Sequence, residues 1–280
     1  MTWIDVLKKR LNRIGARPPR VAVMRLNGPI MARGLRGLSI EGLAGTIERA
    51  FALKRLKAVA LVVNSPGGSA VQAALIAKRI RDLAREKSVP VFAFAEDVAA
   101  SGGYWLLAAG DELYANESSI VGSIGVVSAG FGFTELIRRF GIERRLYTEG
   151  ERKAMLDPFR PERHEDVERL KEIQREIHAE FKAQILSRRG TKLTAPPETL
   201  FDGSVWTGRH ALALGLIDGI GDVRAVMRER YGESVRLVPV GRQRSWLQRR
   251  LGLMAGAEEL WLDRAFDTLE ERLLWSRFGL

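Results

Sequence analysis

Residues 89–105 read VPVFAFAEDVAASGGYW and contain a predicted strand, a turn and the start of a helix, in that order. The apolar, β-branched run at 89–95 is typical of a buried strand, and residues 104–109 of the first turns of a helix. Ser101 lies between them, where a hydroxyl either caps the helix or points out of the fold as a nucleophile. The two glycines after it let another backbone approach closely, because they carry no Cβ.

Similar patterns precede this stretch. Residues 21–26 and 58–63 predict two more strands, and residues 70–86 predict a helix with an apolar stripe. Because strands alternate with helices, we expect βαβ units and an α/β fold with a mostly parallel sheet. Ligands bind outside the carboxyl ends of the strands in such sheets. Gly67-Gly68 and Ser101 both follow strands, so we expect them to face one crevice.

The composition excludes several kinds of site. The 280 residues include no cysteine, which rules out disulfides, thiolate metal sites and cysteine nucleophiles. The histidines are His164, His178 and His210, and none lies near a glycine-rich turn. His164 and His178 fall in a charged, helix-like stretch, where we expect them on a solvated face. A Ser-His-Asp triad therefore has little support, and neither a metal nor a cofactor is predicted.

The chain is strongly basic, with a formal net charge of +11. Its arginines are scattered and no nucleic-acid-binding motif is recognisable, so no nucleic-acid partner is predicted. No run approaches the roughly 20 apolar residues that cross a bilayer. The N-terminal residues also lack the apolar stretch of a signal peptide. We therefore expect a cytoplasmic protein.

The two ends of the chain are predicted to flank the main domain, residues 18–222. Residues 1–17 predict an amphipathic helix and a linker, and residues 223–280 predict a helical extension. Four apolar residues share one face of the first helix: Ile4, Leu7, Leu11 and Ile14. That face fits a peripheral contact with the inner membrane as well as it fits a sister subunit.

A serine nucleophile needs a base, and a lysine can serve when burial or neighbouring cations lower its pKa. Ser-Lys pairs are a known variant of the catalytic triad. Residues 144–148 predict a strand, and Lys153 follows it, between Gly150 and the apolar residues 154–156. The same pattern is also that of an ordinary surface lysine.

Five stretches of the chain, taken together in their order and spacing, resemble the serine–lysine signal peptide peptidase family, of the signal peptide peptidase A and SohB type. The resemblance covers about residues 20–222. It implies a crotonase-like or Clp-protease-like core of repeated ββα and βαβ units. The stretches are Val63-Asn64-Ser65-Pro66-Gly67-Gly68, Ala100-Ser101-Gly102-Gly103-Tyr104-Trp105, Gly122-Ser123-Ile124-Gly125-Val126, Gly150-Glu151-Arg152-Lys153, and Trp206-Thr207-Gly208 through Gly215-Leu216-Ile217-Asp218.

The resemblance implies a role for each matching residue. Ser101 is the expected nucleophile and Lys153 the general base, with Ser123 holding the lysine amine in place. The backbone N–H groups of Gly68 and Gly102 are expected to form the oxyanion hole. Three further residues are expected to line the substrate cleft: Gly67, Val71 and Ala74.

The implied reaction is hydrolysis of peptide bonds through an acyl-enzyme, in extended apolar polypeptides such as remnant signal peptides. Members of the family form oligomers in which neighbouring protomers supply the serine and the lysine, so a homo-oligomer with shared sites is expected. Many members carry a transmembrane anchor, which is not expected here. Two alternatives remain open. The same core suits a crotonase-type acyl-CoA enzyme, and the basic charge and helical ends suit a catalytically silent oligomeric scaffold.

Overall fold

The computed structural model describes residues 18–32, 37–241 and 275–279. Within these ranges lies an eight-stranded sheet with helices packed on it, which confirms the predicted α/β class. The strands are β1 (Arg20–Asn27), β2 (Leu56–Ser65), β3 (Val91–Ala100), β4 (Glu112–Ala115), β5 (Ile120–Gly122), β6 (Val205–Thr207), β7 (Gly219–Ile220) and β8 (Arg236–Val240). The helices are α1 (Ile40–Phe51), α2 (Ala70–Lys87), α3 (Gly102–Leu107), α4 (Thr134–Arg139), α5 (His164–Arg189), α6 (Pro197–Leu200), α7 (Gly208–Ala213) and α8 (Val223–Tyr231).

The sheet is mostly parallel, in the order β6-β5-β3-β2-β1-β8. Strand β3 pairs along one edge first with β4 and then with β5, and β7 pairs with β4. The antiparallel pair is β5 with β6. Because β2, β3 and β5 run parallel, their carboxyl ends meet at one edge of the sheet. The residues that follow these ends include Gly67, Ser101 and Ser123.

Strand β2 is buried on both faces, which explains its unbroken apolar run. Val59, Leu61 and Val63 belong to the larger core, with residues of α1 and α2. Ala58 and Ala60 pack on the opposite face, with residues of α8. Burying each of the larger side chains contributes about 1.5–3 kcal/mol, so this strand is a main source of stability.

Helix α5 is attached to the core through its second half. The ring of Phe181 stacks on the indole of Trp105 in α3, with 4.9 Å between the ring centroids. At the end of the helix the guanidinium of Arg189, only 1% exposed, donates to the carboxylate of Asp218 at 2.7 Å. It also donates to the carbonyl of Gly215. The helix that follows Ser101 is therefore held from outside the sheet by α5.

Two secondary-structure predictions are wrong. The extension from residue 223 is not purely helical, because β8 joins the main sheet beside β1, with Arg20 opposite Arg236. Residues 144–148 belong to none of the strands in the described ranges. The predicted helix within residues 1–17 and residues 242–274 lie outside the described residues. Among the helices that the structure does describe, none combines the length and hydropathy needed to cross a bilayer.

Candidate active site

Ser101 occupies a strained turn between β3 and α3. Its φ of 55° and ψ of −125° lie in a region that residues with a side chain rarely adopt. Such a conformation costs on the order of 1–3 kcal/mol and persists only when its surroundings hold it. The Ser101 N–H donates to the carbonyl of Gly122 at 2.8 Å, and the Ser101 carbonyl accepts from Tyr104 and Trp105.

The Ser101 hydroxyl does not act as a helix cap. In the described part of the chain it makes no hydrogen bond to the first turn of α3. The N-cap serines of α1 and α2, Ser39 and Ser69, do make such bonds. Of the two interpretations of the Ser-Gly-Gly turn, a helix cap or a nucleophile, capping does not explain why Ser101 is strained.

The loop that follows β2 lies directly against Ser101. A Cβ added to Gly67 would come within 2.7 Å of the Ser101 Cβ and 2.9 Å of the Gly102 nitrogen. Gly67 has a φ of 101° and Gly68 a φ of 133°, a conformation that suits glycine. The loop is anchored on Ile30, whose N–H donates to Gly67 and whose carbonyl accepts from Ser69, both at 2.7 Å.

Two backbone N–H groups at this contact have no acceptor among the residues that the structure describes. Among the hydrogen bonds within the described ranges, none is donated by the backbone nitrogen of Gly68 or Gly102. Gly68 is exposed, and Gly102 lies beside the Gly67 Cα. The arrangement can offer hydrogen-bond donors to negative charge that develops next to the Ser101 hydroxyl.

Ser123 follows β5 at the same edge of the sheet. Ala100 pairs with Gly122, so Ser101 and Ser123 each come directly after paired residues of neighbouring parallel strands. Ser123 has a φ of 54°, and its N–H donates to the carbonyl of Ser204 at 2.7 Å. The Ser123 turn is therefore held on one side by Ser204 and joined on the other to the Ser101 turn, whose N–H donates to the carbonyl of Gly122.

His178 contradicts its predicted position on a solvated face. Its side chain is half-buried, and its Nε2 lies 3.1 Å from the carbonyl oxygen of Ile124, the residue after Ser123. A charged helix gives no local signal for this contact, because it depends on how α5 packs. His164 is exposed, as predicted.

Lys153 is not brought to Ser101 by any contact that the structure describes within one chain. Its side chain is exposed, and no hydrogen bond or ion pair of the described residues joins it to Ser101 or Ser123. Its backbone N–H donates to the carbonyl of Gly150 at 3.1 Å. The single chain thus assembles the serine and glycine part of the predicted site and leaves the lysine on the surface.

Lys153 lies in an exposed arm, residues 126–160. The arm folds back on itself, with the rings of Phe133 and Phe159 5.5 Å apart. Several of its large apolar side chains are at least half exposed: Val127, Phe131, Leu136, Phe140, Ile142 and Tyr147. So many exposed large apolar side chains within one segment are typical of an interaction surface.

The first turns of α2 adjoin the Gly67-Gly68 loop and carry the remaining predicted cleft residues. Val71 is 66% exposed and Ala74 is half-buried. The neighbouring Ala73 lies 3.5 Å from the position that a Gly102 Cβ would take.

Comparison with known proteins identifies a peptidase family. The model of the family described as Peptidase family S49 matches residues 83–234, more than half of the chain. A putative signal peptide peptidase SppA of Enterococcus faecium is 28% identical over 78% of this chain and 65% of its own length. The serine protease SPPA, chloroplastic, of Arabidopsis thaliana is 32% identical over 71% of this chain and 29% of its own.

The comparison also includes a protein with a different name. A Brucella abortus protein named Na(+)/H(+) antiporter NhaA is 50% identical over 98% of this chain, which covers 39% of that protein. The chain therefore spans well under half of the Brucella relative, and just under two thirds of the Enterococcus one.

Proposed function

The chain belongs to peptidase family S49, and from that membership we propose that it is a serine peptidase with Ser101 as nucleophile and Lys153 as general base. The observation that carries the proposal is the Ser101 turn. A strained serine whose hydroxyl makes no capping bond lies against a glycine loop, and within the described ranges the backbone N–H groups of Gly68 and Gly102 donate to no acceptor. Strand-to-helix turns of this type expose nucleophiles in other hydrolases.

The proposed reaction proceeds through an acyl-enzyme. The neutral amine of Lys153 takes the proton of the Ser101 hydroxyl while the oxygen attacks the peptide carbonyl carbon. The N–H groups of Gly68 and Gly102 donate to the resulting oxyanion, and each such donor is worth roughly 3–4 kcal/mol. The C–N bond then breaks as the lysine returns the proton to the leaving amine. Water, activated by the same amine, hydrolyses the ester and frees the serine.

We propose that the site is completed in a homo-oligomer. Lys153 is exposed within an arm rich in exposed apolar side chains, and burial of that arm against another copy would remove both features. A neighbouring protomer would then supply the lysine that Ser101 lacks in the single chain. Ser123 is the residue proposed to accept and orient the incoming amine.

The proposed substrates are extended apolar polypeptides, such as remnant signal peptides. Support comes from the exposed apolar start of α2 beside Gly68, where Val71 and Ala74 would contact substrate side chains. Family membership favours a peptidase over the crotonase-type acyl-CoA enzyme and over the silent scaffold. The antiporter name belongs to a protein of which this chain covers 39%, and its activity is not carried over.

The test is hydrolysis of a peptide library by the parent protein, Ser101→Ala and Lys153→Ala. Both variants are expected to lose roughly 10³-fold or more in kcat while keeping the oligomeric size of the parent. Lys54→Ala is the matched control, because Lys54 is an exposed lysine before β2, at the opposite end of the strand from Gly67. Parent-like turnover by Lys153→Ala would contradict the proposed base.

The predicted cytoplasmic location and the peripheral membrane contact also stand as proposals. The contact involves residues 2–14, which lie outside the described residues. Liposome flotation of the full chain, compared with a chain starting at residue 18, tests it. Equal flotation of the two would remove the membrane contact and leave the sister subunit as the partner of that helix.

A further inference from the structure

The pairing between β2 and β3 contains an irregularity just before Ser101. Val63 pairs with Ala95, but the next paired residues are Ser65 and Ala99, so β3 takes two more residues than β2 across this interval. Bulges of this kind re-aim the chain that follows and are common next to active sites. The bulged residues are Glu96, Asp97 and Val98, immediately upstream of the serine turn.

One side chain of β2 fills the bulge. The Asn64 Oδ1 accepts from the backbone N–H of Val98 at 3.1 Å. Its Nδ2 donates to the Asp97 carboxylate at 2.6 Å. The Asn64 amide thereby supplies bonds that the interrupted ladder cannot make at this point. The backbone of Asn64 is itself fixed, because its carbonyl accepts from Gly28 at 2.9 Å.

The position of Asn64 connects the two halves of the candidate site. It lies three residues before Gly67, whose loop carries the proposed oxyanion donor Gly68. Through its side chain it also holds Val98, where β3 begins to pair with β5 and leads directly to Ser101. A shift of the bulge would therefore move the Ser101 hydroxyl relative to the Gly67-Gly68 loop, while the core of β2 and β3 stays buried.

We propose that Asn64 is a positioning residue for the reaction, which sets the distance between the Ser101 hydroxyl and the N–H of Gly68 through the β3 bulge. The proposal rests on the proposed function of Ser101. Displacements of about 1 Å at a reacting atom lower rates by up to roughly 10²-fold. Displacing Ser101 in this way is expected to lower kcat and the reactivity of the serine and to leave substrate binding nearly unchanged.

The experiment is a swap of the two bonded side chains. Asn64→Asp retains the shape and the acceptor for Val98, but removes the donor and places a carboxylate against Asp97. Asp97→Asn retains an oxygen acceptor for Asn64 and is expected to be the milder change. The double variant restores one amide and one carboxylate with the donor reversed, at the same net charge.

Asn64→Asp is expected to lower kcat on peptides by about tenfold or more at nearly unchanged KM. The rate at which a fluorophosphonate probe labels Ser101 should fall in parallel. The double variant should return both rates to within about threefold of the parent, the coupling that a double-mutant cycle detects. Near-UV circular dichroism and the thermal midpoint report whether each variant is folded. A purely structural role would lower the midpoint without this split between kcat and KM.

Each outcome decides the inference. A folded Asn64→Asp with parent kcat overturns it, as does a folded double variant that remains as slow as the single one. If Asn64→Asp does not fold, the kcat and labelling rate of the double variant decide, and a folded double variant that remains slow overturns the inference. Failure of both variants to fold also overturns the inference. Failure of the proposed function looks different, because Ser101→Ala would then retain hydrolysis.

Discussion

The ring of Phe181 stacks on the indole of Trp105, with centroids 4.9 Å apart and planes inclined by 23°. Trp105 lies in the short helix that starts immediately after Ser101, and Phe181 in the longest helix described. The contact therefore supports the helix that follows the strained serine turn. Part of the energy that holds Ser101 in place comes from α5.

Phe181→Ala is expected to reduce the free energy of unfolding by about 3–5 kcal/mol, because Phe181 is buried and loses both apolar contact and ring stacking. Peptide hydrolysis should fall as well, since α3 loses its lateral support. Urea unfolding and kcat measure the two effects. Leu186→Ala, on an exposed position of the same helix, is the control and should cost less than about 0.5 kcal/mol. Equal losses in the two variants would contradict the role of the stack.

Gly67→Ala is expected to lower peptide hydrolysis by about 10²-fold, because its methyl group would press on the Ser101 Cβ at 2.7 Å. Gly68→Ala should also be impaired, since its Cβ would lie 2.2 Å from the Ile30 carbonyl oxygen. Gly241→Ala is the matched control, with no atom within 4 Å of the added Cβ. Initial rates and thermal midpoints are compared across the three variants. Full activity in Gly67→Ala would show that the loop does not determine the serine position.

Asp218→Asn is expected to destabilise the protein by about 3 kcal/mol at neutral pH, because it leaves the guanidinium of the buried Arg189 without its charged partner. Burial acts to raise the pKa of Asp218, but hydrogen bonds from Arg189, Lys192 and the Leu113 N–H outweigh it, so that the pKa lies below its ordinary value. As the pH falls, the unfolded chain takes up the proton first, near the ordinary pKa of about 4. The stability from this carboxylate is therefore present above that pH and lost as the pH falls through the lowered pKa.

The difference in unfolding free energy between the parent and Asp218→Asn should consequently shrink below about pH 4. Urea unfolding at pH 7, 4 and 3 measures it. Glu135→Gln is the control, because Glu135 and its partner Arg138 are both 77% exposed, and pairs in that setting contribute little. A difference that stays constant down to pH 3 would rule out the linkage.

Mixing two inactive proteins tests the shared site. Ser101→Ala retains the lysine and Lys153→Ala retains the serine, so an oligomer containing both can form an intact pair between neighbouring chains. We expect peptide hydrolysis to reappear after the two variants are unfolded, mixed and refolded together, at up to about a quarter of the parent rate for random pairing of protomers. A mixture that remains inactive while it forms mixed oligomers would place the pair within one chain. The double variant Ser101→Ala/Lys153→Ala, refolded with either single variant, is the control.

The central strands of the fold could be predicted because each carries its own local pattern. The apolar runs of β2 and β3 are buried on both faces, and the glycines that follow them indicate turns. Strand β8 could not, since residues 236–240 read RLVPV and contain a proline. Its strand conformation comes from pairing with β1, which lies more than 200 residues earlier in the sequence. A short window of sequence around β8 therefore cannot predict it.

The serine and glycine part of the candidate site was accessible to sequence reasoning for the same reason. Parallel strands bring their carboxyl ends together, and Ser101 and Gly67 both follow such ends. The roles inferred here for Asn64 and the contact of His178 were not accessible. The first depends on an irregularity in the pairing of β2 with β3, and the second on the packing of α5. A short stretch of sequence contains no signal for either. The placement of Lys153 near Ser101 depends on assembly and stays a prediction.

The adjacency of β1 and β8 has a practical consequence for anyone truncating this protein. A recombinant fragment that stops at residue 222, where the motifs end, would lack β8. Strand β1 would then carry a row of unpaired backbone N–H and C=O groups along one edge. Bare strand edges recruit strands from other molecules, so such a fragment is expected to aggregate. The shortest fragment suited to crystallisation must run at least through Val240.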